Sequence, residues 1–212
     1  MILVFCEGRR NANFAETVIE FFKIASALGK ESREFQDAIN KIEKDIKKFV
    51  GYIRSIYRKQ NRDYIYVFEI GNFSKIYKER QNLKSIFDEL KEKYKIVFVV
   101  DSEYTDLVKF YDLEEESIIF SERIEDFIKR IVNKILSEEN IEKLRKIKEE
   151  LKKECRIFLN KVDEDKLEIQ LYHIVFSGGE CDKRMFSTLL KLLGNDWQKE
   201  GEIKKLYEIL RE

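Results

Sequence analysis

The chain has 212 residues with 41 basic and 41 acidic side chains, so it carries no formal net charge although 39% of it is charged. That balance argues against a polycationic nucleic-acid arm or an acidic solvating tail, either of which would leave an excess. A content of 43% hydrophobic and 13% aromatic residues argues against disorder. There is no proline and only 8 Gly, against an average of about 5% proline, so long uninterrupted helices are expected. Abundant Lys, Glu and Ile in balance is the composition of hyperthermophile proteins. The three cysteines, Cys6, Cys155 and Cys181, are widely spaced with no CxxC pair, which argues against a disulfide framework or a thiolate zinc site. No stretch approaches 18 apolar residues, so a soluble, cytoplasmic protein that engages no membrane is expected.

In chain order, Ile2–Cys6 opens as a continuous apolar run of the kind that lies buried on both faces of a parallel sheet. Phe14–Leu28 reads as a helix ending at Gly29. A second helix, from Ser32 to Arg62, is expected from Phe35, Ala38, Ile39, Ile42, Ile46, Phe49, Val50, Ile53 and Tyr57, which keep a helical period. It reads as a helical insertion at about 31–62 within the first crossover. Tyr64–Ile70 and Lys95–Val100 are further buried-strand runs, and Ser117–Phe120 is a shorter fourth. Helices between them give a β-α-β-α-β-α-β order, which points to an α/β sheet that is mostly parallel and flanked by helices.

Residues 1–136 thus read as an α/β core, and residues 137–212 as a mainly helical extension packed on the same domain. In the extension, Glu138–Leu159 carries Ile141, Leu144, Ile147, Leu151, Cys155 and Phe158 at helical spacing, a stripe suited to core packing or to a partner helix. A fifth strand, Lys166–Phe176, leads through Ser177-Gly178-Gly179 to two tail helices split by Gly194-Asn195-Asp196. Trp197 reads as the packing anchor between those two helices.

Ligands of a parallel sheet bind outside the carboxyl ends of its strands. The first strand is followed by Cys6-Glu7-Gly8-Arg9-Arg10-Asn11, the second by Gly71-Asn72-Phe73-Ser74-Lys75, and the third by Asp101-Ser102-Glu103. If the first and third strands are neighbours, Glu7, Asp101 and Glu103 converge on one edge. Carboxylates gathered in this way repel one another unless a hard, oxygen-seeking cation such as Mg²⁺ neutralises them. Arg9 and Arg10 stand beside them, placed to hold phosphate oxygens.

The order strand-Glu7-Gly8, strand-Gly71-Asn72, strand-Asp101-Ser102-Glu103, with helices between, resembles the toprim domain of topoisomerases, primases and the overcoming-lysogenization-defect nucleases. That family has a Glu after its first strand and a DxD after its third. Gly71-Asn72 falls where the nuclease branch carries a Gly-rich turn, and the tail from Asp182 to Leu193 is similar in style to small archaeal toprim-like proteins. The resemblance covers roughly the first 130 residues.

It implies that Asp101 and Glu103, with Glu7, hold Mg²⁺ or Mn²⁺. It also implies that Glu7 serves as general acid or base on a nucleic-acid phosphodiester, with Gly8, Arg9, Arg10, Gly71 and Asn72 near the phosphate. Nuclease activity is the implied chemistry that needs no further domain. Two positions depart from the pattern: Glu103 replaces the second Asp, and Asn11 stands where some members have a further Asp, which lowers the charge available for a second ion.

Several features stay open. Glu180 and Asp182 are either a second acidic cluster or acids favoured by a helix N-terminus. Arg54, Arg58 and Arg62, with Lys47, Lys48 and Lys59, either track a phosphate backbone or form a solvated face. His173 is the only histidine, which leaves no multi-histidine metal site, and neither a P-loop nor a GxGxxG sequence is present. Cys6 reads as a buried structural thiol. The function expected is a Mg²⁺-dependent, nuclease-like protein. The alternatives are a non-catalytic toprim-like module that binds protein, nucleic acid or its own copy through its long helices, and a nucleotide-binding regulator.

Overall fold

A computed structural model describes residues 1–24, 33–60, 63–137 and 181–211. The elements are β1 (Ile2–Glu7), α1 (Gly8–Phe21), α2 (Arg33–Val50), β2 (Ile53–Gln60), β3 (Asp63–Ile70), α3 (Phe73–Lys78), α4 (Arg80–Lys93) and β4 (Lys95–Asp101). They continue with α5 (Thr105–Phe110), β5 (Ile118–Phe120), α6 (Ile124–Ser137), α7 (Cys181–Leu193) and α8 (Gly201–Arg211). The five strands form one mixed sheet in the order β2-β3-β1-β4-β5. β1 pairs in parallel with both β3 and β4, β4 pairs in parallel with β5, and only the edge strand β2 runs antiparallel to its neighbour β3.

The apolar runs read from the sequence are the central strands, and their alternation divides the core in two. Ile2, Val4 and Cys6 of β1 join Ile65, Val67, Val97, Val99, Ile118 and Phe120 on one face, covered by α1, α6, α7 and α8. Leu3 and Phe5 join Tyr66, Phe68, Ile70, Ile96, Phe98 and Val100 on the other, covered by α2 to α5. Phe5 stacks on Phe68 with ring centroids 4.7 Å apart and meets Phe87 of α4 edge-on at 5.3 Å. Emptying such a fully buried position by Phe→Ala costs about 3–5 kcal/mol.

The helix expected from Ser32 to Arg62 stops at Val50. Gly51 sits at φ +82° and its N–H bonds back to the Lys47 carbonyl at 2.9 Å, a helix end that favours glycine. Beyond it, Ile53, Ile56 and Tyr57 are β-branched or aromatic and lie in the edge strand instead. Ile39, Ile42, Ile46 and Val50 of α2 are all buried in the core, so this apolar stripe is packed inside the protein.

Helix α1 begins at Gly8, six residues earlier than the apolar period suggested, and ends at Phe21. Described residues of the extension, among them Phe186, Leu189, Leu190, Ile203 and Leu206, share the core of α1 and β1. Trp197 packs against Tyr207 of α8, with centroids 5.0 Å apart, and against Phe22 at 4.5 Å. The expected helix Glu138–Leu159, the expected strand Lys166–Phe176 and His173 lie outside the described residues. Among the described residues no helix is long and apolar enough to cross a membrane.

Candidate functional site

The parallel pairing of β1 with β4 aligns Cys6 with Val99, so the two strands end side by side and deliver Glu7 and Asp101 to one sheet edge. Oε2 of Glu7 accepts a hydrogen bond from the Asp101 N–H at 3.0 Å. Oδ1 of Asp101 accepts from the Ile124 N–H at 3.2 Å and from Nδ2 of Asn11 at 3.4 Å, while Nδ2 of Asn11 also donates to the Val99 carbonyl at 3.2 Å. Asn11 is 2% exposed, and the Asp101 carboxylate ties β4 to α1 and α6 while the Glu7 carboxylate ties β1 to β4.

Glu103 is exposed on the turn Ser102–Tyr104 directly after β4, whose Tyr104 is buried. Glu125, in the first turn of α6, forms an ion pair with Arg10 of α1, and both side chains are about one-fifth exposed. Gly8 adopts φ +68°, a left-handed conformation that turns the chain straight from β1 into α1 and favours glycine. Arg9 is exposed. Gly71 and Asn72 are exposed at the end of β3 on the opposite side of β1 from Asp101, and Oδ1 of Asn72 accepts from the Ser74 hydroxyl at 2.7 Å.

Burial pushes the Glu7 carboxyl up from the ordinary 4.5 to about 7. The Asp101 N–H pulls the other way, but the negative charges of Asp101, Glu103 and Glu125 add to the rise. Asp101 is also raised, first by burial and then by Glu125 and Glu103, against the hydrogen bonds from Asn11 and Ile124. Burial, with Glu7 and Glu103 nearby, pushes the Tyr104 phenol up. Cys6 is fully buried, and burial followed by the charges of Glu16 and Glu69 raises its thiol well above the usual range, as suits a structural thiol.

Of the acids expected to converge, Glu7 and Asp101 meet at the strand ends, while Glu103 acts on Glu7 through its charge, as does Glu125, which the sequence did not single out, and Tyr104 lies within reach of the same charges. Glu125 lies five residues beyond the end of β5, in the first turn of α6, and so past the strand ends to which the sequence pointed. Asn11 was read as a missing charge, whereas it is a buried donor that holds Asp101. Glu180 lies outside the described residues, as does the side chain of Asp182, which falls in α7. Arg54 and Arg58 are strand residues of β2 and not part of a helical stripe. Nη2 of Arg54 is 3.0 Å from the buried Glu69 carboxylate, while Arg62 lies outside the described residues.

Asp101, Glu103 and Glu125 all act on Glu7 as like charges, and the Arg10 guanidinium is engaged by Glu125, an electrostatic setting that favours a hard cation. As the side chains stand, no group of three or more His, Cys, Asp or Glu among the described residues is arranged to hold a metal ion. No family model, curated protein or solved structure matches the chain.

Proposed function

We propose that the chain is a toprim-like protein that acts on nucleic-acid phosphodiesters with Mg²⁺ or Mn²⁺ held by Glu7, Asp101 and Glu103. The observation that carries the reading is the side-by-side ending of β1 and β4, which places the Glu7 carboxylate against the Asp101 backbone at the carboxyl edge of the sheet. When bound, the ion supplies charge stabilisation for the transferring phosphoryl group.

The chain's own residues do the rest. Glu7, at the end of β1 against the Asp101 backbone, is the carboxyl placed to exchange a proton with the attacking or leaving oxygen. Asn11 and the Ile124 N–H fix the direction of Asp101. Arg10, at the start of α1, stands beside the acids to engage phosphate oxygens.

The test is cleavage of labelled single- and double-stranded DNA and RNA with Mg²⁺, Mn²⁺ or EDTA, by the wild type, Glu7→Gln and Asp101→Asn. Metal-dependent cutting that both substitutions abolish supports the reading, and intact substrate with the wild type and either metal overturns it. A second reading, a non-catalytic module on the same framework, is favoured by the internal satisfaction of the site. Asp101 already accepts two hydrogen bonds at one oxygen, and Arg10 is paired within the protein.

A further inference from the structure

The edge strand β2 brings a second group of residues to the sheet edge that carries Glu7. Glu7 is in register with Ile70 at the end of β3, and Ile70 is in register with Ile53 at the start of β2. The turn from α2 into β2 therefore lies about two strand spacings, or about 10 Å, from Glu7. That turn presents Tyr52, one of two large hydrophobic side chains that stay exposed among the described residues, at 48%. The Tyr52 ring lies across Gly71, with Cδ1 2.9 Å from where a Cβ would stand, and the Gly71 N–H meets the Tyr52 carbonyl at 3.4 Å. A side chain at position 71 would lift the ring, so the glycine is what lets tyrosine lie flat on the edge.

Cations flank this turn along the chain and on the neighbouring helix α3. Lys44, Lys47 and Lys48 project from the last turns of α2 and are exposed, as are Arg54 and Lys75. Nζ of Lys75 reaches over Gly51, 3.5 Å from the place a Cβ would take. Two of the acids among them are paired with cations, Asp45 with Lys48 at 2.8 Å and Glu69 with Arg54, and Oε1 of Glu43 accepts the edge N–H of Ser55 at 3.0 Å. Lys47 and Lys75 form no ion pair among the described residues. An open groove of about 470 Å³, lined by Asn40, Glu43, Lys44, Lys47, Lys48 and Ile53, runs alongside.

We infer that this edge binds single-stranded nucleic acid, with one base stacked on the Tyr52 ring and the backbone phosphates along Lys47, Lys48 and Lys75. A flat exposed ring flanked by lysines recognises a base face and the phosphates beside it, and a duplex offers no free base face to the ring. The inference deepens the proposed function, since it supplies the strand that the acids would act on, but binding and cutting are separable.

Fluorescence anisotropy in EDTA tests it, with short labelled single strands of DNA and RNA, a duplex, and an abasic single strand of the same length. The wild type should bind the intact single strands more tightly than the duplex. Tyr52→Leu, which still covers Gly71, should weaken intact strands about tenfold while leaving the abasic strand unchanged, and Tyr52→Phe should bind like the wild type. Lys47→Gln with Lys75→Gln should lower the slope of log affinity against log salt by about 1.4, whereas Lys204→Gln on α8 should not change it. The DNA and RNA arms identify which polymer is preferred.

Equal binding by the wild type and Tyr52→Leu, equal binding of single strand and duplex, or no binding at all would overturn the inference. Tight single-strand binding that depends on Tyr52, without cutting in Mg²⁺, leaves the inference standing and removes the phosphodiester chemistry. Cutting with no dependence on Tyr52 does the reverse.

Discussion

Oε2 of Glu7 and the backbone N–H of Asp101 meet at 3.0 Å and join the carboxyl ends of β1 and β4. The bond favours an ionised Glu7, yet burial, reinforced by the charges of Asp101, Glu103 and Glu125, prevails and brings the group to about 7. Because this folded value lies above the ordinary 4.5, the folded state binds more protons than the unfolded chain between those limits. The Glu7 contribution is therefore fully present below about 4.5 and is lost as pH rises toward about 7. Urea unfolding across this range should give a falling stability for the wild type and a shallower fall for Glu7→Gln, where the remainder reflects the raised Asp101. Identical slopes for the two proteins would contradict this account of the site's electrostatics.

Asn11 provides an independent probe of the same corner. Asn11→Ala removes a buried donor shared by Val99 and Asp101 and should cost about 1–3 kcal/mol in denaturant unfolding. Asn11→Asp should cost more, since it adds a buried like charge facing Asp101. If the site takes a divalent ion, Mn²⁺ should restore more stability to Asn11→Asp than to Asn11→Ala.

The turn from β1 into α1 depends on Gly8 through its backbone and not through close packing, for no atom lies within 4 Å of the place a Cβ would occupy. Gly8→Ala should therefore cost about 1–2 kcal/mol from the left-handed conformation alone. Gly201, where α8 begins, has equally open surroundings and no such constraint, so Gly201→Ala should be neutral or slightly stabilising in the same thermal unfolding experiment.

Arg10 and Glu125 link the first turns of α1 and α6. A double-mutant cycle with Arg10→Ala and Glu125→Ala should give a coupling of about 1 kcal/mol or more, because both side chains are mostly buried. Arg10→Ala alone should be the more damaging single change, since it leaves Glu125 uncompensated beside Asp101 and Glu7.

The central strands were legible because β1, β3 and β4 are buried on both faces, and a continuous apolar run is the signature of that environment. Strand ends follow from strand positions, so Glu7 and Asp101 were legible too once β1 and β4 proved to be neighbours. The edge strand was not: Ile53, Ile56 and Tyr57 happen to extend the period of α2, and only the backbone of Gly51 decides that the helix has ended. Glu125 and Asn11 were missed for a related reason. Their part in the site depends on how α1 and α6 are rotated against the sheet, which spacing along one chain does not encode.

The most direct test of the central claim is a thermal unfolding titration with Mg²⁺ and Mn²⁺ on the wild type, Glu7→Gln and Asp101→Asn. Binding of an ion to the folded state alone raises its stability by RT ln(1 + [L]/Kd), about 2.7 kcal/mol at a hundredfold excess over Kd. The account predicts a saturable rise in Tm for the wild type that is reduced in Glu7→Gln and absent in Asp101→Asn. A wild-type Tm unmoved by either ion, or an equal rise in all three proteins, would contradict it.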